Sequence, residues 1–176
     1  MVNETTIPKL RIEGLAFGYG HTAVQRDISF DVAAGSIFAI MGGSGRGKST
    51  LMKAIIGLLK PITGTIQVGD EDYWHATEDR RTELGRRFGV VFQSGALWSS
   101  MTAEENVALP PRMFSPLSDA AILALARLKL SLAGLDAVGS VMPASLSGGM
   151  RRRVGIARAL SATSFLAAWR SVLSPS

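Results

Sequence analysis

The sequence predicts an α/β fold organised around a phosphate-binding loop, and three observations carry that expectation. First, residues 42–49 read Gly-Gly-Ser-Gly-Arg-Gly-Lys-Ser, a complete G-x-x-x-x-G-K-[ST] pattern. An apolar run, 37–41, precedes it, and a helix-compatible run from Thr50 to Leu59 follows, as such a loop requires. Second, Leu10 to Ile12 and Ile28 to Val32 alternate in the period of strands, and Phe88 to Phe92 is a short apolar run. Third, residues 94–150 change texture: they hold four of the seven prolines and one apolar helical run, Ser118 to Leu132.

Each element has a local reason. The segment 17–20, Phe-Gly-Tyr-Gly, reads as a turn with aromatic faces, and Ala34-Gly35 turns the chain into a buried strand over 36–41. In the loop, glycine permits positive φ, so backbone N–H groups can converge on phosphate oxygens. The following helix points its positive dipole end at the same place. Lys48 supplies a mobile cation, and the Ser49 hydroxyl can ligate Mg²⁺. The helix is expected to bury Leu51, Ile55 and Leu58 on one stripe and to end at Pro61. A short strand covers 65–68, and an acidic, polar stretch from Asp70 to Arg87 reads as a loop plus a surface helix. Ser118 is an N-cap candidate and Gly134 a terminator. A last helix should start at Ser147-Gly148-Gly149, burying Val154, Ala157 and Leu160, with Arg151, Arg152 and Arg158 more exposed.

Composition sets further bounds. The chain has 176 residues and is 47% hydrophobic, enough for one domain or a domain with a subdomain. It has no cysteine, which excludes disulfides and thiolate metal sites and fits a reducing compartment. The polar stretch 1–6 has no signal-peptide core, and no apolar run is long enough to span a membrane. The net charge is +5. The arginine pairs 80–81 and 86–87 and the triplet 151–153 read as solvated faces, so no nucleic-acid partner is expected. All 14 acidic residues lie at or before Asp136, and residues 137–176 contain no Asp or Glu.

The segment 146–150, Leu-Ser-Gly-Gly-Met, is by itself either an ordinary Ser N-cap with permissive glycines or a second anion-ready helix start. Its place about a hundred residues beyond the loop, with a Gln-ended strand between, resembles the nucleotide-binding subunit of ABC transporters. The resemblance covers nearly all of Leu10 to Leu160. It implies a P-loop NTPase fold: a RecA-like α/β core, an antiparallel β subdomain and a helical subdomain, incomplete at the C-terminus. It divides the chain into a partial nucleotide-binding domain, 9–160, and an aberrant tail, 161–176. Within the domain, 9–93 hold the β subdomain and loop core, 94–150 the helical subdomain, and 151–160 the start of the return to the core.

Residue by residue, the resemblance implies that Tyr19 stacks on adenine. Gly42, Gly43, Ser44, Gly45, Arg46, Gly47, Lys48, Ser49 and Thr50 form the Walker A loop for ATP. Gln93 touches Mg²⁺ and the attacking water, so Ser49 and Gln93 are the Mg²⁺ contacts. Ser147, Gly148, Gly149 and Met150 resemble the signature motif, which completes the ATP site of the opposing subunit. The implied partners are an integral membrane permease subunit and a second copy in a head-to-tail dimer. The implied location is cytoplasmic, peripheral on the inner face of the membrane. The segment 91–97, and the signature with Met150 followed by arginines, look like the Mla/Mce-type branch, which energises phospholipid traffic.

The chain also departs from the family. The family needs a strand ending in Asp-Glu, whose Asp orders Mg²⁺ and whose Glu polarises water, and later a switch histidine. Residues 161–176 hold neither, and the last histidine is His75. The expectation is therefore a chain truncated or frameshifted after about Leu160, binding nucleotide but hydrolysing it poorly. Arg46 stands where the family has a small residue; it can add phosphate attraction, crowd the loop or point into solvent. Trp98, Val107, Leu109, Met113 and Phe114 are either permease contacts or internal core, with Pro110-Pro111 stiffening them. Two other readings are a non-catalytic or decayed binding fragment and a soluble ABC protein acting on ribosomes or DNA. One P-loop and no sustained heptads speak against the latter.

Overall fold

The computed structural model describes residues 10–20, 22–93 and 95–162, and the backbone of 166–169. They form two compact units, one through Gly85 and one from Arg86.

The first unit is built on an antiparallel sheet of order β2-β1-β3-β4, from β1 (Leu10–Tyr19), β2 (Thr22–Val32), β3 (Thr63–Val68) and β4 (Glu71–Asp72). β1 sits between β2 and β3, with Ile12 opposite Phe30 on one side and Ile66 on the other. Its central position explains why Leu10, Ile12, Leu15, Ala16 and Phe17 are all buried, although only 10–12 alternate cleanly. A bulge after Ile12 breaks the period of two. Two helices belong to this unit, α1 (Lys48–Ile55) and α2 (Glu78–Gly85). Arg80 of α2 ties it to the sheet edge through Glu71, donating Nε to Oε2 at 2.6 Å.

Two expectations fail in this unit. Residues 36–41 are not a strand, and Ile37 and Met41 are exposed. A strand buried on both faces needs paired neighbours, and among the described residues none pairs with 36–41. Phe38 instead stacks on Phe30 of β2, ring centroids 4.7 Å apart. The helix α1 also stops at Ile55, well before Pro61. Gly57 turns left-handed at φ 82°, with the Tyr73 hydroxyl so close that any Cβ there would collide with it. Leu51 and Ile55 are buried as expected, whereas Leu58, beyond the helix, is exposed.

The second unit is mostly helical. It comprises β5 (Phe88–Val91), α3 (Ala103–Phe114), α4 (Asp119–Leu132), a 3₁₀ turn at Pro143–Ser145, α5 (Gly148–Ser161) and β6 (Leu166–Trp169). The helices pack around Val107, Ile122, Ala126, Leu130, Leu146 and Val154. Thr102 caps α3 in a reciprocal box, accepting from the Glu105 N–H while Glu105 accepts from the Thr102 N–H. Ser118 caps α4, and Gly134 follows it at φ 68°. Asn106 is fully buried and pins the preceding loop: it accepts from the Trp98 N–H and donates to the carbonyls of Trp98, Met101 and Thr102.

Of the apolar residues assigned to docking or core, Val107 is core, whereas Trp98, Met113 and Phe114 are exposed. In α5, Val154 and Ala157 are buried as expected. Leu160 is exposed, and Arg158 is half-buried; Ala159 and Ser161 take the inward positions. The helix thus runs one residue into the stretch read as an aberrant tail. The backbone of 166–169 pairs in parallel with β5, Phe88 opposite Leu166 and Val91 opposite Trp169. Residues 163–165 and 170–176 lie outside the described residues.

Candidate nucleotide-binding elements

The loop 42–47 delivers the chain into α1 through Gly47, the N-cap, at φ 82° and ψ 4°. This is left-handed backbone, and a Cβ at this residue would stand 2.7 Å from Val24 Cγ1. Glycine is therefore required here for both conformation and space. The cap supplies no side-chain acceptor, so the first N–H groups of α1 stay available. Gln25 of β2 steadies the loop by donating Nε2 to the Arg46 carbonyl at 3.3 Å.

Lys48 folds back over the loop. Its Nζ donates to the Gly42 carbonyl at 2.5 Å and to the Gly43 carbonyl at 2.6 Å. An ammonium has three protons, so one remains for a further acceptor. The Ser49 hydroxyl has no hydrogen-bond partner among the described residues, and neither has the Arg46 guanidinium, which lies on the exposed part of the loop. Open helix N–H groups, a pinned ammonium and an uncommitted hydroxyl side by side match a polyphosphate with its metal ion.

Tyr19 stands at the end of β1, more than half exposed. Lys53, one turn into α1, donates Nζ to its phenolic oxygen at 3.2 Å. The same ammonium lies 5.7 Å from the ring centroid. Lys53 first, and Thr50 after it, hold the Tyr19 phenol below the usual tyrosine range. The exposed ring is thereby fixed to the helix that starts at the loop.

In the second unit, β5 ends at Val91 rather than Phe92, and exposed Gln93 follows two residues on. The Gly95 N–H closes a turn onto the Phe92 carbonyl at 2.9 Å. Gly95 and Ala96 both have positive φ, 79° and 44°. This strained turn is held by α5. Arg152 donates Nε to the Gln93 carbonyl at 3.2 Å. Arg158 donates Nη2 to the Gly95 carbonyl at 2.9 Å and Nη1 to that of Ala96 at 2.8 Å. Burial pushes the Arg158 guanidinium down from its ordinary value.

Ser147 is the N-cap of α5, accepting from the Met150 N–H at 3.2 Å. Ser147, Gly148 and Gly149 are exposed, and a Cβ at either glycine would meet nothing within 4 Å. Met150 differs: it packs against the helical core instead of standing free. Arg151 braces the turn in front by donating to the Leu146 carbonyl at 2.6 Å.

Tyr19 and residues 42–50 thus lie in the first unit, and Gln93 and residues 147–150 in the second. Sequence reasoning missed Lys53, Arg152, Arg158 and Gly155. Gly155 left one signal: a glycine inside a helix costs about 1 kcal/mol against alanine, which suggests close backbone packing at that point.

The chain is similar to known ATP-binding proteins of transporters. The probable ribonucleotide transport ATP-binding protein mkl of Mycobacterium leprae is 36% identical over 151 residues, 86% of this chain and 44% of that protein. The methionine import ATP-binding protein MetN of Brucella abortus is 41% identical over 158 residues, 90% of this chain and 42% of that protein. The chain therefore spans less than half the length of these curated relatives. Among solved structures, the dimeric post-hydrolysis state of the ATP-binding cassette MJ0796 bound to ADP and Pi superposes with a TM-score of 0.79 at 29% identity. That match covers 88% of this chain and 70% of that one. Residues 25–168 match the ABC transporter family, and the chain belongs to it.

Proposed function

We propose that this chain is the ATP-binding part of a bacterial ABC transporter and grips Mg²⁺-ATP through residues 42–50. The observation that carries the reading is Lys48, held over the loop by two carbonyls with a proton to spare, beside the open N–H groups of α1. In this reading Gly42, Gly43, Ser44, Gly45, Arg46 and Gly47 supply backbone donors, and Lys48 meets the terminal phosphates. Ser49 and Gln93 contact Mg²⁺, and Tyr19 stacks on the adenine. Ser147, Gly148, Gly149 and Met150 serve the nucleotide of a second subunit, and a membrane permease is the mechanical partner. Among the described residues no helix is long and apolar enough to cross a membrane, and the site of action is the inner face of the cytoplasmic membrane.

These 176 residues bind nucleotide and cleave it slowly. Residues 137–176 offer no carboxylate side chain to polarise water or order Mg²⁺. A general base contributes typically about 10²–10⁴ in rate. Calorimetry with Mg²⁺-ATP should give binding that Lys48→Ala weakens about tenfold or more, the loss of a charge-assisted contact. Phosphate release should stay below about 1% of that of an intact relative. A chain indifferent to Mg²⁺-ATP, or one releasing phosphate briskly, would overturn the corresponding half.

The cargo we propose is lipid-like. Residues 91–97 and the Met-containing signature followed by arginines support it through their likeness to the Mla/Mce-type branch. The names of mkl and MetN give ribonucleotide and methionine as the cargo of those proteins. Co-purification of the tagged chain with an integral membrane subunit that carries phospholipid tests the reading. A permease partner free of lipid would count against it.

A further inference from the structure

We infer that Arg158 is a positioning residue that fastens the turn after Gln93 to the signature helix, so that Gln93 and Ser147 move as one body. The inference rests on the reading of Gln93 and residues 147–150 as nucleotide-site elements, but its physical basis is separate.

Three contacts meet along one side of α5. Arg152 reaches the Gln93 carbonyl, and Arg158 reaches the carbonyls of Gly95 and Ala96. Between them the two backbones touch. A Cβ on Gly95 would stand 2.6 Å from the Arg151 carbonyl oxygen, and one on Gly155 would stand 3.1 Å from Gly95 Cα. Gly95 adopts its positive φ freely, but Ala96, a non-glycine at φ 44°, persists there only where the surroundings over-determine it. Here the determinant is a planar guanidinium whose fork fits two adjacent carbonyls, a geometry that a lysine cannot match. Arg158 is half-buried and Gly95 is buried, so the bond between them is less screened than a surface contact. The far end of the same rigid helix is the Ser147 cap. A displacement of the turn therefore carries the signature with it, without a second hinge.

The chain has no cysteine, so paired spin labels can be introduced without background. Labels at Ala96→Cys and Ser145→Cys, both exposed, report the distance between the turn and the start of α5. The full chain should give one narrow distance. Arg158→Met should lose it and give a broad distribution while far-UV helicity is retained, and Arg158→Lys should restore it only in part. Gly155→Ala, which wedges the backbones apart, should shift the distance with Arg158 intact. A narrow, unchanged distance in both Arg158→Met and Gly155→Ala would overturn the inference. The labels report without nucleotide, so a chain that fails to bind Mg²⁺-ATP overturns the functional reading and leaves this result standing on its own.

Discussion

The Ser161 hydroxyl lies 2.6 Å from the Val107 carbonyl oxygen, and Pro111 explains why. Inside a helix, the Val107 carbonyl would accept from the N–H four residues on. That residue is Pro111, which has none. Val107 is fully buried, so no solvent replaces the lost donor. Ser161 also lies 2.8 Å from the Arg158 carbonyl, but that oxygen already receives the Ala162 N–H. A hydroxyl has one proton, and the orphaned acceptor claims it. The last turn of α5 thereby repairs α3.

Ser161→Ala should therefore cost about 1–3 kcal/mol, the penalty for an unsatisfied buried acceptor. Urea unfolding, with exchange of the α3 amides as the local probe, measures it. Pro111→Ala restores an N–H for Val107, so the double variant should lose less than the sum of the single losses. Strict additivity would show that the two residues do not share that carbonyl.

Gly47 carries the second prediction. Alanine there meets two penalties at once, a left-handed φ and the Val24 methyl at 2.7 Å. The conformational part alone costs roughly 1–3 kcal/mol. Gly47→Ala should lower stability by at least that much and weaken Mg²⁺-ATP binding further than Lys48→Ala does, because it displaces the loop rather than one contact. Gly43→Ala is the control, since its Cβ would meet only Arg46 Cγ, at 3.8 Å. Equal behaviour of the two alanine variants would remove Gly47 from the argument.

How much was legible in the sequence depended on whether an element is fixed locally. The loop, the Ser118 and Ser147 caps and the strands β1, β3 and β5 announce themselves through glycine, serine and apolar period, which act over a few residues. The run 36–41 has the composition of a strand but, among the described residues, not the partners, because strand status belongs to a ladder and not to a segment. The early end of α1 was hidden because Gly57 is set by Tyr73, 16 positions away in the chain. Arg158 looked like any solvated arginine, since the carbonyls it serves lie more than 60 residues upstream. Pro110 and Pro111 read as stiffening neighbours of apolar contacts; they sit inside α3, where the Ser161 hydroxyl serves the Val107 carbonyl that Pro111 leaves without a donor.

The two tyrosines give a test that needs no nucleotide. The Lys53 ammonium favours the Tyr19 phenolate and pulls that phenol below its usual range. Burial disfavours the phenolate of Tyr73 and pushes it above, outweighing the nearby Arg81. As pH rises, Tyr19 should lose its proton first and Tyr73 later, so the tyrosinate absorbance should climb in two waves. Tyr19→Phe removes the early wave and so assigns it. Lys53→Met removes the cation and the hydrogen bond together, so the early wave should move upward toward the late one. If Lys53→Met leaves the early wave in place, Lys53 does not hold Tyr19 in solution, and the aromatic ring is not tethered to the helix that begins at the phosphate loop.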